Sequence, residues 1–526
     1  MTSLWKTAGA LAVLMTASLG ASAGSAAAAD SAPISAHAVV HGDQPGAVID
    51  RHIYGQFSEH LGHGIYDGVW VGEKSPIPNT RGFRNDVIAA LRDLKVPVLR
   101  WPGGCFADEY NWREGVGPRD KRPVRVNTTW GGVEEPNTVG THEFFDFAEM
   151  IGAETYVNGD VGSADAREMA EWVEYITSNT RSTLANERRA NGRDKPWALN
   201  YFGIGNETWG CGGHMRPEYA ADVTRRYATF IKTPPEQHVM RVASGAHDED
   251  FHFTEVMMRD AADSFDGLTY HYYTVPTGIW DHKGAATGFG EDQWISTLSR
   301  ALMMDTNVTA QSAIMDKYDP KKRVALIVDE WGVWTDVEPG TNPGFLYQQD
   351  SLRDALVAAV TLNVFHKHAD RVRMANIAQM VNVLQAMILT KGPQMVLTPT
   401  YHVFEMYKPF QDATDIPVEV DAPPYAYAGF SVPSVQISAA RDKAGHVHVA
   451  LVNLDPHRPA QFSASLPGVV ATAASGRILT ASAIDSVNSF EQPNLVHPVA
   501  FTAAHVSGGT LTTTLPPKSI VVLDLQ

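Results

Sequence analysis

Two apolar segments that each end in a glutamate constrain the fold of this chain more than any other feature. Residues 199–204 form a short aromatic and β-branched run that leads to Glu207, and residues 324–328 form a second run that leads to Glu330. Short apolar runs of this kind predict buried strands. In a parallel barrel the active site is built at the C-terminal ends of the strands. The two glutamates are therefore predicted to face each other in one pocket.

An alternation of strands and helices surrounds these two segments. Strands are predicted at residues 52–57, 97–101, 154–158, 200–206, 240–245, 267–273, 324–330 and 373–379. Helices are predicted between them, for example at 165–177 and 347–368, where apolar residues recur on one face. Eight such units over about 340 residues predict a (β/α)8 TIM barrel with loop insertions. A doubly wound open sheet is the alternative, but the glycine-rich motifs of nucleotide-binding sheets are absent.

Composition divides the chain into four parts. Residues 1–29 combine Lys6, an apolar stretch and small residues, which predicts a secretory signal peptide and a secreted or periplasmic protein. Residues 30–50 are predicted to supply a strand to a C-terminal domain, and residues 51–390 to form the barrel. Residues 391–526 contain short alternating strands separated by Gly, Pro and Asn, which predicts a β-sandwich.

Charge and cysteine content exclude several classes of partner. The formal net charge is −17 and there is no basic run, which argues against nucleic acid or an anionic membrane as partner. After cleavage of the signal no segment is apolar enough to span a membrane. The two cysteines, Cys105 and Cys211, lie near predicted strand ends. A disulfide and two free thiols are both open, because sequence does not supply the geometry.

The residues at the predicted strand ends suggest the chemistry of the pocket. They are Phe57, Ser58, Glu59, His60, Arg100, Trp101, Cys105, Asn206, Glu207, His271, Tyr272, Tyr273, Glu330, Asn376 and Gln379. Carboxylates, amides and a guanidinium suit sugar hydroxyls, and aromatic rings suit the apolar faces of a sugar. Two carboxylates are also what glycoside hydrolysis requires, one as general acid and one as nucleophile or base.

Other chemistries have weaker support. Glu59, His60 and His63 are close in sequence, but their glycine-rich context differs from the helical His-Glu-x-x-His zinc motif, so no metal and no cofactor are predicted. The Gly-x-Ser-x-Gly pattern of a serine esterase does not occur after the predicted signal peptide; its one match, residues 20–24, lies within that segment. Cys105 beside two glycines is more typical of a packed small residue than of a nucleophile. A carbohydrate-binding protein without catalysis is the remaining alternative, and the presence of both acids argues against it.

Several motifs together resemble glycoside hydrolase family 51, and specifically its α-L-arabinofuranosidases. They lie at residues 55–62, 99–108, 110–118, 140–144, 205–210, 271–273, 329–331 and 376–379. The resemblance implies a (β/α)8 barrel followed by a β-sandwich, and a retaining mechanism with Glu207 as acid/base and Glu330 as nucleophile. It implies release of terminal α-L-arabinofuranosyl residues from arabinan or arabinoxylan and is compatible with a homo-oligomer. Activity as an endo-glucanase, or as another retaining glycosidase of this barrel type, is the alternative.

The resemblance also implies which residues line the arabinose site. They are Glu59, Arg100, Cys105, Asn206, His271, Tyr273 and Gln379, with Trp130 and Trp334 as aromatic walls. Arg100 is suited to holding Glu330 ionised and Tyr273 to orienting it. Family members carry Asn or Cys at the position of Cys105, and a disulfide there would remove a thiol from the sugar pocket. The resemblance therefore favours a free Cys105.

Overall fold

Eight parallel strands form a closed barrel at the centre of the structure, which is a computed structural model that describes residues 32–526. The predicted signal peptide at residues 1–29 lies outside the described residues. In chain order the barrel strands are Gly55–Phe57, Val98–Trp101, Glu154–Gly159, Tyr201–Ile204, Met240–His247, Gly267–Thr274, Ala325–Val333 and Val372–Ile377. The first strand pairs with both the second and the eighth, which closes the barrel. The predicted TIM barrel is confirmed, and the doubly wound open sheet is wrong.

Local capping explains where the elements differ from the predicted ranges. Residues 52–54 belong to a short 3-10 helix, Arg51–Tyr54, because the Asp50 side chain accepts a hydrogen bond from the backbone N–H of His52 and caps that turn. The first barrel strand is correspondingly short. The helix predicted at 347–368 begins only at Leu352, where Ser351 and Asp354 form a capping box.

Helices surround the barrel and bury their apolar faces against it. They are Asn85–Leu94, Thr141–Ile151, Ala166–Thr177, Thr183–Ala190, Pro217–Phe230, Phe251–Ala261, Glu291–Tyr318, Leu352–Lys367 and Pro399–Tyr407. A large apolar core fills the space between these helices and the strands, and a smaller cluster that includes Val98, Tyr156 and Ile327 is contributed by barrel strands. Among residues 32–526, no helix is both long and apolar enough to cross a membrane.

The C-terminal part contains two sheets, as expected for a β-sandwich. One sheet has the strand order Val418–Asp421, Ile34–Val40, Ala460–Ser465, Thr510–Leu515 and His505–Ser507. The other has the order Thr414–Ile416, Val435–Arg441, Val447–Asn453, Ser519–Leu525, Ala474–Leu479 and Val499–Phe501. The strand before the barrel, Ile34–Val40, thus lies in the first sheet, antiparallel to Val418–Asp421 and parallel to Ala460–Ser465.

The chain between the barrel and these sheets does not begin with sandwich strands at residue 391. A separate hairpin, Ile388–Lys391 with Gln394–Leu397, comes first, and the helix Pro399–Tyr407 follows it. Pro399 is at the start of this helix, where a missing N–H costs nothing, and Thr398 caps it. After the barrel, the first strand that belongs to either of the two sheets begins only at Thr414.

The sandwich packs directly on the barrel. Helix Leu352–Lys367 is buried over nearly its whole length because it lies between the barrel strands and the six-stranded sheet. His366 on this helix makes hydrogen bonds with Tyr54 on one side at 2.7 Å and with Ser438 on the other at 2.8 Å. The apolar core runs without a break from the barrel helices into this sheet.

Candidate active site

Glu330 lies at the end of the seventh barrel strand and is held from two sides. Arg100 donates a hydrogen bond from Nη1 to Oε1 of Glu330 at 2.9 Å, and Tyr273 donates from its hydroxyl to Oε2 at 2.8 Å. Arg100 is itself only 1% exposed and lies over the ring of Phe57 at 4.4 Å. Two donors, one of them cationic, favour the ionised form of a carboxylate. Glu330 is thus placed as an oriented anion.

A β-bulge in the seventh strand lets two successive residues face the site. Towards the sixth strand, Thr269 pairs with Ile327 but His271 pairs with Glu330, so the seventh strand has one extra residue there. The pairing with the eighth strand shifts in the same region. In a regular strand Asp329 and Glu330 would point to opposite faces, whereas a bulge re-aims a side chain. Both carboxylates consequently contact Arg100.

Glu207 lies opposite, just beyond the fourth strand. Its backbone has φ of +39°, which a non-glycine residue adopts only when the surrounding structure imposes it. Oε1 lies 2.9 Å from Nδ1 of His271. Burial raises the pKa of Glu207 above its ordinary value, the hydrogen bond with His271 acts against this, and the charge of Glu330 adds to it. Glu207 is the carboxyl group of the pair that favours the protonated form.

His271 connects Glu207 to a third carboxylate. Its Nε2 lies 3.1 Å from Oδ1 of Asp329, which is fully buried. Burial alone would lower the pKa of His271, but the charge of Glu330 and the bonds to Asp329 and Glu207 raise it to about 10. Asp329 and its partner Tyr156 were not among the predicted site residues. The strand-end position of Asp329, next to Glu330, was the available signal.

Glu59 binds a set of donors on the other side of Glu330. Oε1 accepts hydrogen bonds from the backbone N–H groups of Gly104 at 3.0 Å and Phe106 at 3.1 Å, and from Nε1 of Trp130 at 3.0 Å. Oε2 accepts from Nε2 of Gln379 at 2.9 Å. Burial and the neighbouring Glu330 raise the pKa of Glu59 to about 7, against the effect of these donors. The carboxylate is thus fixed in one orientation at the pocket wall.

Asn206 is held through both its side chain and its backbone. Arg100 donates from Nη2 to Oδ1 of Asn206 at 2.5 Å, and the amide Nδ2 lies 3.8 Å from Sγ of Cys211. Oδ2 of Asp108 accepts from the backbone N–H of Asn206 at 3.1 Å, and Oδ1 accepts from Val161 and Gly162. Asp108 therefore ties the loop after the second strand to the ends of the third and fourth strands. Asp108 is the last residue of the motif at 99–108, and nothing in its local sequence indicates this role.

Cys105 and Cys211 form a disulfide, with their Cα atoms 5.5 Å apart. The preference for a free Cys105 thiol is therefore wrong. The fold explains why: the second and fourth strands flank the third in the barrel, so the loops that follow them can meet beyond its end, although the two cysteines are 106 positions apart in sequence. Both sulfur atoms contact Oε2 of Glu207, Cys211 at 3.5 Å and Cys105 at 3.8 Å. The disulfide thus forms a wall of the pocket beside Glu207.

The predicted site residues surround a small pocket that opens into a larger cleft. The pocket is lined by Glu59, Leu61, Cys105, Trp130, Glu207, Tyr273, Glu330, Trp334, Leu346, Gln379 and Leu384. The cleft, of about 690 Å³, shares Cys105, Glu207, Tyr273 and Trp334 with it. Trp280, whose ring centroid is 4.8 Å from that of Trp334, and Trp209 line the cleft and were not predicted. His271 lines the cleft, whereas Arg100 and Asn206 line neither cavity and hold the residues that do.

Two groups of side chains in the described residues have the spacing of metal ligands. Ligand atoms of Glu207, His271 and Glu330 lie within 4.8 Å of one another, as do those of Glu207 and the two cysteines, whose sulfur atoms are joined in the disulfide. His60, considered above as a metal ligand, has both ring nitrogens in other contacts. Nδ1 lies 3.0 Å from Oε2 of Glu135, and Nε2 accepts a hydrogen bond from Nε1 of Trp101 at 3.1 Å. Its surroundings are those of a core histidine.

Comparison with known families assigns both halves of the chain. Residues 90–287 match the family model described as α-L-arabinofuranosidase 1 domain, and residues 329–519 match the one described as α-L-arabinofuranosidase C-terminal domain. An intracellular exo-α-L-arabinofuranosidase of Bacteroides ovatus is 52% identical over 94% of this chain and 96% of its own length. Alpha-L-arabinofuranosidase C of Emericella nidulans is 29% identical over 82% of this chain and 86% of its own length.

The name of the Bacteroides ovatus relative contradicts the predicted localisation. That prediction, of a secreted or periplasmic protein, came from the composition of residues 1–29 alone. A relative with 52% identity is named an intracellular enzyme, so the prediction is wrong by this comparison. A lysine followed by an apolar run is a pattern of composition, and composition carries little information about where the folded protein acts.

Solved structures agree with the family models. The crystal structure of the GH51 arabinofuranosidase from Xanthomonas axonopodis pv. citri superposes with a TM-score of 0.93 at 59% identity, covering 94% of this chain and all of the other. An α-L-arabinofuranosidase from Thermotoga maritima in complex with arabinose gives 0.83 at 29% identity, covering 93% of this chain and all of the other. With the closed barrel and paired strand-end glutamates, these matches show that the chain is an α-L-arabinofuranosidase of glycoside hydrolase family 51, an enzyme that acts on arabinose-containing glycans.

Proposed function

We propose that this enzyme removes terminal α-L-arabinofuranosyl residues from arabinan or arabinoxylan with retention of configuration. The observation that carries the proposal is the approach of the two glutamates, since a carboxylate oxygen of Glu207 lies within 4.8 Å of one of Glu330. Carboxyl groups of retaining glycosidases are about 5–5.5 Å apart, whereas inverting enzymes need about 6.5–9.5 Å to admit a water molecule. The short approach supports direct attack by one carboxylate.

The contacts of each glutamate support its role. Arg100 and Tyr273 hold Glu330 as an anion, so Glu330 attacks the anomeric carbon and forms a glycosyl–enzyme ester while the glycosidic bond breaks. Glu207 gives its proton to the departing oxygen. In the second step the charge of Glu330 is gone, and Glu207, now a carboxylate, takes a proton from the water that attacks the ester.

The remaining predicted residues supply recognition of the sugar in this proposal. Glu59 and Asn206 would bind sugar hydroxyls, Glu59 with its oxygens and Asn206 with its amide. Gln379 donates to Glu59 and fixes its orientation. The half-buried rings of Trp130 and Trp334 provide apolar walls. The carboxylates of Glu59 and Glu330 are held in place by protein donors before the substrate arrives, which reduces the reorganisation needed during the reaction.

The shape of the site supports action at chain ends. The pocket around Glu207 and Glu330 is small and lined on all sides by side chains, so it suits one terminal sugar. The larger cleft outside it is partly aromatic, with Trp209, Trp280 and Trp334, and suits the rest of a polysaccharide. An endo-acting enzyme would need a groove open at both ends past the glutamates.

The activity is tested with a panel of aryl glycosides. The proposal predicts hydrolysis of 4-nitrophenyl α-L-arabinofuranoside and little or none of the corresponding β-D-glucoside or cellobioside. Dialysis against EDTA should leave the rate unchanged, since the proposed steps use only side chains of this chain. A rate that is lost with EDTA and restored by zinc would make the ligand-spaced group of Glu207, His271 and Glu330 a functional metal site instead.

The stereochemistry is tested by proton NMR in the first minutes of turnover. Two displacements at the anomeric carbon cancel, so the first arabinose formed should have the α configuration of the substrate. A first product of β configuration would mean that water attacks directly and that Glu330 is a general base. On polysaccharides, release of arabinose alone supports exo action, whereas early release of oligosaccharides contradicts it.

A further inference from the structure

The buried carboxylate of Asp329 divides its two oxygens between different partners. Oδ1 lies 3.1 Å from Nε2 of His271. Oδ2 accepts from the hydroxyl of Tyr156 at 2.9 Å and lies 3.2 Å from Nε of Arg100. Asp329 is fully buried and does not line the pocket or the cleft. Any effect of Asp329 on the reaction must therefore pass through His271 or Arg100.

His271 offers both ring nitrogens to carboxylates. Nε2 faces Asp329, and Nδ1 faces Oε1 of Glu207 at 2.9 Å and Oε2 of Glu330 at 3.6 Å. A neutral imidazole has one N–H and can donate to one of these groups only, whereas the imidazolium donates to both. The raised pKa of His271, about 10, agrees with the imidazolium. His271 thus donates to Oε1 of Glu207.

The two oxygens of Glu207 are then unequal. Oε1 accepts the hydrogen bond from His271. Oε2 contacts the sulfur atoms of Cys105 and Cys211, which carry no proton in the disulfide, and within residues 32–526 no N–H or O–H group donates to it. Because Oε1 already accepts a proton in a hydrogen bond, the acid proton of Glu207 belongs on Oε2.

We propose that Asp329 is a positioning residue that keeps His271 doubly protonated and thereby places the acid proton of Glu207 on Oε2, from which the proton passes to the departing group. This inference rests on the proposed role of Glu207 as general acid. In the first step the O–H bond at Oε2 breaks as the departing oxygen gains the proton, and in the second step water returns a proton to Oε2. His271 keeps both of its protons throughout.

The charges around the site support this assignment. Among the groups that contact His271 and Arg100 directly, Arg100 and His271 carry two positive charges and Asp329 and Glu330 carry two negative charges, so a neutral Glu207 leaves these five groups balanced. Glu59 lies on the other side of Glu330, contacts neither His271 nor Arg100, and has a pKa raised to about 7 by burial and by the charge of Glu330. The neighbouring Tyr273 hydroxyl is neutral and donates to Glu330. Loss of the charge on Asp329 would leave one positive charge in excess. His271 would then release a proton, Nδ1 would become an acceptor, and the proton of Glu207 would move to Oε1, away from the departing oxygen.

The test compares leaving groups in Asp329→Asn. A dinitrophenolate hardly needs protonation, whereas a xylosyl or alkyl oxygen does. General acid catalysis is worth roughly 10²–10⁴-fold, so Asp329→Asn should lose about 10²-fold more activity on an alkyl arabinofuranoside than on the dinitrophenyl one. Lower pH should restore part of this loss by protonating His271. Tyr156→Phe is the matched control, because it removes the hydrogen bond to Oδ2 of Asp329 but leaves the contact between Oδ1 and His271. In this variant the ratio of the activity on the alkyl arabinofuranoside to that on the dinitrophenyl one should equal the wild-type ratio.

Nitrogen-15 NMR of labelled histidine provides a second measurement that needs no variant. In the wild type at pH 7, both ring nitrogens of His271 should carry protons, and a neutral His271 would overturn the inference whatever the fate of Asp329→Asn. If Asp329→Asn lost the same fraction of its activity on every leaving group, the inference would also be overturned, and Asp329 would act through Arg100 instead of His271. Glu207→Ala separates the two proposals: if it shows no dependence on the leaving group, the role of Glu207 fails, whereas dependence in Glu207→Ala but not in Asp329→Asn rejects only the role of Asp329.

Discussion

Arg100 holds Glu330 through Nη1 at 2.9 Å, and its second nitrogen, Nη2, lies 2.5 Å from Oδ1 of Asn206. One buried guanidinium therefore connects the strand end that carries Glu330 to the one that carries Asn206 and Glu207. Arg100 is 1% exposed, and its Nε also pairs with Asp329. The planar fork of arginine makes these three contacts at once, which an ammonium group cannot do.

Replacement of Arg100 by lysine should show that geometry as well as charge is required. Arg100→Lys keeps the positive charge but loses the fork, so kcat should fall by more than about 10²-fold, as in the loss of a donor that stabilises a developing charge. Arg100→Ala also removes the buried cation that pairs with both Asp329 and Glu330, which should lower the free energy of unfolding by about 3–5 kcal/mol. Steady-state kinetics and urea unfolding measure both effects. A lysine variant with wild-type kcat would show that only the charge matters.

Gly104 is a backbone position that lies close to the Glu330 carboxylate. A Cβ at this position would lie 2.5 Å from Oε1 of Glu330, the oxygen that binds Arg100. Gly104→Ala should therefore displace the carboxylate and lower kcat, because the overlap is with a fixed charged group. Gly210→Ala is the matched control in the same pocket region, since its Cβ would meet only the backbone oxygen of Glu207 at 3.7 Å. Equal kinetics in the two variants would contradict this account.

The alkaline limit of activity should come from Glu207. Burial raises the pKa of Glu207, and the acid form is the one that works, so activity should persist above the ordinary range of a glutamate and fall as pH rises through the raised pKa. The pH profile of kcat/KM for an aryl arabinofuranoside measures this limit. In Glu207→Gln the residual activity should lack it. An alkaline limit that is identical in Glu207→Gln would assign it to another group.

The disulfide should contribute to stability as a single link. Cys105 and Cys211 are 106 residues apart in sequence. The loss of a disulfide lowers the free energy of unfolding by about 2–4 kcal/mol, because the unfolded chain is no longer constrained by the link. Cys105→Ser, Cys211→Ser and the double variant should lower the free energy of unfolding by the same amount, because each removes the same bond. Additive losses in the double variant would contradict this. Mass spectrometry after alkylation in urea without reductant should find no free thiol in the wild type.

The barrel was predictable because its signals are local. Each strand is a short apolar run, and each run ends in polar residues, so eight strands and the positions of Glu207 and Glu330 follow from the pattern. Element ends were less accurate where a side chain decides them, as with Ser351, whose cap delays the helix to Leu352. The helical pattern of the sequence continues on both sides of such a cap, so the pattern alone does not show where the helix begins.

The features that the sequence did not show depend on contacts across the barrel. Asp329 and Glu330 both face the site because a bulge breaks the alternation of the seventh strand. The bond between Cys105 and Cys211 depends on the loops after the second and fourth strands, which meet beyond the end of the third strand. Asp108 reaches the backbone of Asn206 from a different loop. In each case the partner is distant in sequence, and only the closed barrel brings the two groups together.

The assignment of the two glutamates is the central claim, and Glu207→Ala with azide tests it most directly. This variant keeps the attack by Glu330 but lacks the acid and the base, so a dinitrophenyl substrate should form the intermediate readily and the intermediate should accumulate, with a burst of phenolate. Glu330→Ala should be impaired on every leaving group, because it has no nucleophile.

Azide attacks the intermediate without help from a base. The account predicts that azide raises the turnover of Glu207→Ala and yields an α-L-arabinofuranosyl azide, the product of two displacements, identified by proton NMR. If Glu207→Ala ignores azide and is impaired equally on all leaving groups, while Glu330→Ala shows the leaving-group dependence, then the roles of Glu207 and Glu330 are the reverse of those assigned here.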